Sequence, residues 1–280
     1  MKKEGSIGVF DSGFGGLTIL KELVSSLPQY DFIYLGDNAR APYGTRSFET
    51  VYDYTLQSVE YLFSRGCNLV ILACNTASAK ALRSIQQIDL PKITAHKRVL
   101  GVIRPTTEII GNYSETKTIG ILGTLGTVSS ESYPIEIQKF FPEITVIQEA
   151  CPMWVPLIEN NDFDNVGAEY FFQKNIQQLL SKSDKIDTLV LACTHYPLIL
   201  NQIKKFIPEH IQIISQGKLV AKGLQNYLIR HPEIEVLCSK TEKREFLTTD
   251  SAESFNEKAF LFYGEKIKCE QIELNHNPQL

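Results

Sequence analysis

The sequence predicts an α/β protein made of two similar three-layer α/β domains with mostly parallel sheets, related by a pseudo-twofold axis, with the functional site in the cleft between them. Three observations predict this fold class. The 280 residues are 43% hydrophobic and 21% charged, an ordinary globular composition with enough chain for two domains. Short apolar, β-branched runs alternate with segments of helical periodicity. Two segments of the first half also return, in similar form, in the second half.

The apolar runs predict nine strands, in order along the chain. They lie at residues 7–11, 32–36, 69–73, 99–103, 118–122, 144–148, 188–192, 212–214 and 235–237. Between them, apolar residues recur at spacings of three and four, which is the helical period. The helices predicted from this spacing are residues 17–27, 47–65, 78–87, 129–140, 166–180, 198–206 and 218–230. The alternation indicates sheets that are covered by helices on both faces.

The internal repeat indicates where a ligand binds. Residues 68–77 (Asn-Leu-Val-Ile-Leu-Ala-Cys-Asn-Thr-Ala) resemble residues 187–196 (Asp-Thr-Leu-Val-Leu-Ala-Cys-Thr-His-Tyr), and residues 7–13 resemble residues 119–125. Because ligands bind beyond the carboxyl ends of parallel strands, we expect Cys74 and Cys193 to face one cleft. The predicted domains are residues 1–102 together with 213–280, and residues 103–212.

Charge and cysteine content exclude several classes of protein. The formal net charge is −4 and no Lys/Arg run forms a basic stripe, so nucleic acid is not expected as the main partner. Six cysteines lie far apart without a Cys-x-x-Cys pair, unlike a disulfide scaffold. The first apolar run ends at Asp11, too early for a signal peptide, and no run of about 18 apolar residues is present. We expect a cytoplasmic protein with reduced thiols and no membrane partner.

Cys74 and Cys193 are the candidates for chemistry. Cys74 ends a strand where a helix begins, and we expect the helix N-terminus to lower the pKa of the thiol, so that a thiolate is available near neutral pH. The alternative is a buried cysteine that only packs. Cys193 repeats the arrangement and His195 follows it as an acid/base partner, which favours catalysis. Cys-x-His can also begin a zinc site, but no second close-spaced pair completes four ligands, and no metal is predicted.

A Gly-rich loop, residues 11–16, follows the first predicted strand and opens a helix. It lacks the Gly-x-Gly-x-x-Gly pattern of dinucleotide sites, because Thr18 stands where the last glycine is required, and no Gly-Lys-[Ser/Thr] of a P-loop is present. The glycines are typical of a backbone that approaches a small ligand, with Asp11 and Ser12 beside it. A plain strand-to-helix turn is the alternative. No cofactor is predicted.

Five motifs in this order carry a resemblance to a known family. They are residues 11–17 (Asp-Ser-Gly-Phe-Gly-Gly-Leu), 36–44 (Gly-Asp-Asn-Ala-Arg-Ala-Pro-Tyr-Gly), 73–76 (Ala-Cys-Asn-Thr), 152–159 (Pro-x-x-Val-Pro-Leu-Ile-Glu) and 193–198 (Cys-Thr-His-Tyr-Pro-Leu). The chain resembles the glutamate racemase branch of the aspartate/glutamate racemase family over about residues 7–223, and more weakly near residues 246–251.

The resemblance implies a cofactor-independent racemase that interconverts L- and D-glutamate for peptidoglycan synthesis. It implies that Cys74 and Cys193 transfer protons on opposite faces of the substrate, with Asp11 assisting near Cys74 and His195 near Cys193. Asp37 and Glu159 match further acidic positions that support the reaction. The implied substrate contacts are Asp11, Ser12, Tyr43, Gly44, Asn75, Thr76, Thr194 and His195, with Thr124 and Thr127 as weaker candidates.

Three features depart from the family pattern, and two alternatives stay open. Arg104 stands where many members carry glutamate, Ser215-Gln216-Gly217 stands for Asp-Ser-Gly, and the loop at 88–98 is longer than usual. Arg104 puts in doubt any domain contact, or interface of a possible homodimer, carried over from the family. The other readings are a racemase of aspartate, another small amino acid or a hydantoin, and a two-domain amino-acid-binding protein, which leaves the cysteine pair unexplained.

Overall fold

Two parallel sheets form the framework of the molecule. The structure is a computed structural model that describes residues 4–94 and 96–274. Its strands are β1 (Ile7–Asp11), β2 (Phe32–Gly36), β3 (Leu69–Leu72), β4 (Arg98–Gly101), β5 (Thr118–Gly123), β6 (Thr145–Ala150), β7 (Thr188–Ala192), β8 (Gln212–Ser215), β9 (Arg244–Thr248) and β10 (Cys269–Gln271). All paired strands run parallel, whereas the sequence predicted sheets that are mostly parallel.

The two sheets repeat one topology. The first has the order β10-β9-β2-β1-β3-β4 and the second has the order β6-β5-β7-β8. In each, the first strand of the domain lies between the second and the third, and the fourth lies beyond the third. The strand order therefore reverses direction at β1/β3 and at β5/β7, and such switch points are where open α/β sheets bind ligands. The predicted internal repeat is confirmed at the level of strand order.

Helices cover the sheets on both sides. They are α1 (Gly16–Ser26), α2 (Phe48–Ser64), α3 (Asn75–Lys80), α4 (Leu82–Ser84), α5 (Leu90–Ile93), α6 (Ile103–Thr107), α7 (Leu125–Ser129), α8 (Ser132–Phe140), α9 (Trp154–Glu159), α10 (Val166–Leu180), α11 (Leu200–Lys204), α12 (Gly217–Arg230), α13 (Pro232–Glu235) and α14 (Ala252–Tyr263). Side chains of Ser47, Thr124, Asn165 and Ser251 cap α2, α7, α10 and α14. In the described part of the chain, no helix is both long and apolar enough to span a membrane.

Eight of the nine predicted strands are present, with small shifts at their ends. The predicted strand at 235–237 is wrong, because Pro232 starts the short helix α13 there and the following turn makes only a single bridge, between Cys238 and Gly5. Strands β9 and β10 were not predicted. The first begins with the charged pair Arg244-Glu245, and the second is an edge strand of three residues.

The helix predictions hold for the long amphipathic segments. The predicted helix at 129–140 is divided by Glu131, whose φ of 53° ends α7 before α8 begins. Helices α9 and α14 were not predicted. The segment at 88–98, predicted to be a loop, is partly helical: the π-helical turn Ile85–Asp89 extends into it and is followed by α5. Ala95 of this segment lies outside the described residues.

The chain passes between the domains twice, after the equivalent strands β4 and β8. After β4 it enters α6 and the second sheet, and after β8 it enters α12, which packs against α1 of the first domain. Arg104, on the first of these crossings, pairs with Glu108 of its own helix at 2.8 Å and is largely exposed. The domain boundaries inferred from the sequence stay a prediction.

Trp154 anchors the second domain beneath the cleft. Its indole is fully buried, packs against the rings of Phe172 and Tyr196, and donates a hydrogen bond from Nε1 to Asn175 Oδ1 at 3.0 Å. Tyr196 directly follows His195 in the chain. The only tryptophan of the sequence therefore packs in the core and supports the loop that carries His195.

Trp154→Ala removes this packing and the hydrogen bond that Asn175 Oδ1 accepts from the indole. We expect the free energy of unfolding to fall by about 3–5 kcal/mol, measured by urea denaturation. The matched control is Tyr170→Ala on α10, an aromatic side chain that is 57% exposed, which should change stability by less than about 0.5 kcal/mol. Equal losses in the two variants would contradict this role of Trp154.

Candidate active site

The cleft between the two sheets encloses a narrow pocket with a cavity volume of about 70 Å³. Both domains line it. The lining residues are Ser12, Pro42, Tyr43, Gly44, Thr45, Cys74, Asn75, Thr76, Thr124, Leu125, Cys151, Pro152, Val155, Pro156, Glu159, Cys193, Thr194 and His195. The pocket therefore gathers most of the residues that the sequence singles out.

The topology explains why these residues meet. Ser12 follows β1 and Cys74 closely follows β3, so both lie at the switch point of the first sheet. Thr124 and Cys193 follow β5 and β7, the equivalent strands of the second sheet. The two switch points face each other across the pocket, and each presents one thiol to it.

Cys74 is the N-cap of α3 and is 6% exposed. Its sulfur accepts a hydrogen bond from the Ala77 N–H at 3.5 Å and lies 3.5 Å from the Ser12 hydroxyl. Burial, followed by the charge of Asp11, raises the pKa of Cys74 to about 12, and these two hydrogen bonds only partly offset the rise. The expected lowering of this pKa was wrong, because desolvation of the thiolate outweighs the helix N-terminus. Cys74 is a thiol at neutral pH in this closed cleft.

Asp11 is predicted to contact the substrate. In the structure it lies beneath the pocket and is not among the residues that line it. Its Oδ2 accepts a hydrogen bond from the Gly13 N–H at 3.0 Å. Its Oδ1 is buried and has no hydrogen-bond partner among the described residues. Burial raises the pKa of the Asp11 carboxyl, although the charge of His195 opposes the rise. The Asp11 carboxylate, close enough for its charge to act on Cys74, therefore has one oxygen that accepts no hydrogen bond from the described residues.

Cys193 is linked to His195 and Glu159. Its sulfur is 3.8 Å from His195 Nδ1, and His195 Nε2 is 2.9 Å from Glu159 Oε1. Burial alone lowers the pKa of His195, but its hydrogen bonds to Cys193 and Glu159 outweigh burial and raise the pKa to about 10. His195 is therefore an imidazolium at neutral pH, held between a sulfur and a carboxylate.

Contacts between the domains close one edge of the cleft around His195. A Cβ on Gly15 would lie 2.3 Å from Thr194 Oγ1 and 2.4 Å from His195 Nδ1, so only glycine allows the two loops to approach this closely. Thr18 Oγ1 donates to the Thr194 carbonyl at 2.9 Å, and the Phe262 ring of α14 packs edge-on against His195. The Gly-rich loop thus serves as a docking surface for the second domain.

The opposite edge is closed by the segment around Gly44. The Gly126 N–H donates to the Gly44 carbonyl at 2.8 Å, and the hydroxyls of Thr76 and Thr124 are 2.9 Å apart. Lys80 Nζ donates to the carbonyl of Arg46 at 2.7 Å, which fixes the same segment to α3. Hydrogen bonds at both edges therefore hold the domains closed over the pocket.

Asp37 lies outside the pocket and supports Tyr43, which lines it. The Tyr43 hydroxyl donates to Asp37, whose carboxylate also accepts from Arg40 Nε at 2.7 Å and from the Thr249 hydroxyl at 2.8 Å. The carboxylate therefore fixes the Tyr43 hydroxyl, and a role of Asp37 in the reaction stays a prediction. Thr127 is likewise absent from the lining, and its backbone N–H and hydroxyl are hydrogen-bonded to Thr124.

Three features of the site differ from the sequence analysis. Cys151, which the sequence analysis did not assign to the site, lines the pocket; it directly follows β6, so its position at a strand end is the same signal that identifies Cys74. The Asn75 side chain, predicted to contact the substrate, instead donates from Nδ2 to Gln216 Oε1 and accepts at Oδ1 from the Tyr133 hydroxyl, at 2.7 Å each. Leu125, at the start of α7, and Val155, in α9, also line the pocket without having been assigned to it, although Val155 belongs to the motif at 152–159.

The described residues contain no group of three or more His, Cys, Asp or Glu side chains arranged to hold a metal ion. Cys193 and His195, considered above as the start of a zinc site, instead form the hydrogen-bonded series with Glu159. All six cysteines are free thiols.

Comparison with known proteins gives consistent matches over the whole chain. A profile of the Asp/Glu/hydantoin racemase family matches residues 7–223. The chain is 39% identical over 271 residues to the glutamate racemase of Persephonella marina, which covers 96% of this chain and 98% of that protein.

Solved structures agree. A glutamate racemase isoform from Bacillus anthracis is similar with a TM-score of 0.87 and 34% identity, covering 98% of this chain and 99% of that chain. A glutamate racemase from Francisella tularensis, solved in complex with D-glutamate, is similar with a TM-score of 0.85 and 32% identity, covering 99% of this chain and 100% of that chain. The two-domain α/β fold is thus shared with proteins of known structure.

The His195–Glu159 pair predicts the pH behaviour of the site. His195 should titrate near pH 10 by NMR of its imidazole, and Glu159→Gln should lower that pKa because it removes the negative partner. Since the folded-state pKa lies above the unfolded value of about 6.5, this group stabilises the fold fully below about pH 6.5 and loses its contribution as pH rises through about 10.

The control for this titration is Glu169→Gln, which removes an exposed carboxylate paired with Lys205 and should leave the His195 pKa unchanged. A pKa for His195 near 6.5 in the unmodified protein, or the same pKa with and without Glu159, would contradict the assignment.

Proposed function

The chain belongs to the Asp/Glu/hydantoin racemase family, and we propose that it is a glutamate racemase that transfers protons at Cα with two cysteines and no cofactor. One observation carries the proposal: Cys74 and Cys193 line the same closed pocket from equivalent strand ends of two domains. The complex of the Francisella tularensis relative with D-glutamate supports the choice of substrate.

In the proposed reaction, the substrate lies between the two sulfurs. One cysteine, as a thiolate, takes the α-proton from one face of the substrate, and the C–H electron pair remains on Cα as a carbanion. The other cysteine, as a thiol, gives its proton to the opposite face and becomes a thiolate. One proton is removed and one is added, so the product is the mirror-image amino acid, and the reverse reaction exchanges the two roles.

The surroundings of the two sulfurs suit this division of roles. Cys74 is kept protonated by burial and by the nearby Asp11 charge, as a proton donor must be. Cys193 lies beside the His195 imidazolium, whose positive charge favours negative charge on a nearby sulfur during the reaction. For the reverse direction Cys74 must lose its proton, and we assign Asp11, whose Oδ1 has no hydrogen-bond partner among the described residues, to assist this step.

The pocket also suits a carbanion formed without an electron sink. The α-proton of an amino acid is very weakly acidic, so its removal depends on fixed hydrogen-bond donors and on exclusion of water. Ser12, Tyr43, Thr76 and Thr194 line the pocket and are proposed to hold the substrate's charged groups, together with the backbone of Gly44 and Asn75. Closure at both edges removes water from around the reacting atoms.

Because the motifs resemble the glutamate branch of the family, we also propose what the product, D-glutamate, is used for. A cytoplasmic enzyme of this kind supplies D-glutamate for peptidoglycan synthesis.

Racemisation in D2O tests the reaction type. Purified protein without added pyridoxal phosphate should convert L-glutamate to D-glutamate, and the product should carry solvent deuterium at Cα, because the delivered proton comes from a thiol that exchanges with solvent. Proton NMR of the Cα signal and chiral chromatography measure the two quantities. Racemisation without deuterium incorporation, or dependence on that cofactor, contradicts the proposal; L-aspartate supplied alone tests the alternative substrate.

Removal of either thiol should stop the reaction. Cys74→Ala and Cys193→Ala should each lower kcat for racemisation by at least about 100-fold in both directions, since each direction needs one base and one acid. The matched control is Cys238→Ala, a buried cysteine whose sulfur contacts the Ile234 carbonyl near the amino end of the first sheet, away from the pocket. Near-normal turnover in either active-site variant would overturn the paired assignment.

A further inference from the structure

A buried ring of hydrogen bonds joins both domain crossings to the residue beside Cys74. Asn75 Nδ2 donates to Gln216 Oε1 at 2.7 Å, Gln216 Nε2 donates to the Tyr133 hydroxyl at 2.7 Å, and that hydroxyl donates to Asn75 Oδ1 at 2.7 Å. Each of the three groups donates one bond and accepts one within the ring. Such closed arrangements strengthen one another and fix the direction of every member.

Gln216 extends this ring to both crossings. It follows β8 on the second crossing, and its Nε2 also lies 3.2 Å from the carbonyl of Val102 and 3.1 Å from Thr106 Oγ1, both on the first crossing. The two passages of the chain between domains are therefore in direct contact through one side chain. Gln216 is 2% exposed, and its polar atoms have no access to water that could replace these bonds.

The residues of the ring belong to both domains. Asn75 belongs to the first domain and begins α3, directly after Cys74, whereas Tyr133 belongs to α8 of the second domain. Asn75 has both ends of its amide occupied, so a rotation of the side chain would break two buried hydrogen bonds. The ring therefore fixes the backbone at the start of α3, and with it the direction of the Cys74 thiol.

We propose that Gln216 is a positioning residue for the reaction: through Asn75 it sets the place of the Cys74 thiol according to the relative position of the two domains. This inference rests on the proposed glutamate racemase function.

The test compares Gln216→Met, which keeps the side-chain length and removes its polar atoms, with Gln225→Met on α12, the helix that follows Gln216. The Gln225 Oε1 accepts a hydrogen bond from Lys222 Nζ at 3.3 Å. Gln216→Met should lower kcat by about 10- to 100-fold with a smaller change in KM, since a small misplacement of a reacting group is costly. Gln225→Met should stay within about twofold of the unmodified enzyme. Tyr133→Phe is the second variant; it opens the ring but leaves the Asn75–Gln216 bond.

Isotope effects separate positioning from general loss of structure. Deuterium isotope effects on kcat/KM are measured with L- and with D-glutamate deuterated at Cα. If Gln216 positions Cys74, proton transfer on the Cys74 face becomes slower than on the Cys193 face, so the isotope effect should rise for one enantiomer and fall for the other in both ring variants. Unchanged isotope effects in both directions, with activity lost only in proportion to unfolded protein, would overturn the proposal.

A second readout needs no turnover. Alkylation by iodoacetamide, followed by peptide mass spectrometry, gives the rate at Cys74 relative to that at Cys193; this ratio should rise in Gln216→Met and Tyr133→Phe but not in Gln225→Met. Equal ratios in all variants contradict the positioning role. If the unmodified protein does not racemise glutamate, the proposed function fails, and the alkylation ratio still decides whether Gln216 controls Cys74.

Discussion

The site depends on one constraint, which is that the carboxyl ends of two parallel sheets meet face to face. Each sheet carries a strand-order reversal, and each reversal presents a thiol to the common pocket. The close approach requires glycine at Gly15, where any side chain would collide with Thr194 and His195. The contact between Gly44 and Gly126 closes the other edge. The fold therefore creates the site by symmetry, with one domain supplying each half.

Closure of the two domains over the pocket buries ionisable groups and changes their pKa values. Water is removed from the sulfur of Cys74 and the carboxylate of Asp11, and burial raises the pKa of both groups. On the other side, the Glu159 carboxylate keeps His195 charged in spite of burial. The two halves are equivalent in topology but different in charge. This difference gives the site one protonated thiol and one thiol beside a cation, which suits the proposed removal of a proton on one face and delivery of another on the opposite face.

Much of this arrangement could be predicted from the sequence, for identifiable reasons. The Ala-Cys repeat revealed Cys74 and Cys193 because strand ends in parallel sheets have a fixed relation to the ligand. The pKa of Cys74 could not be predicted, because it depends on how much water the closed cleft leaves around the sulfur. The edge strand β10 has too few apolar residues to be recognised. The partners of Gln216 lie 83 to 141 residues away along the chain, so no local pattern shows them.

A crystal structure of the unmodified protein with bound glutamate tests the central claim most directly. The account predicts that the Cα atom lies between the two sulfurs, with Cys74 Sγ and Cys193 Sγ on opposite faces and each about 3–3.5 Å from Cα. Glutamate bound with both sulfurs on one face, or with either sulfur turned away from Cα, would contradict it.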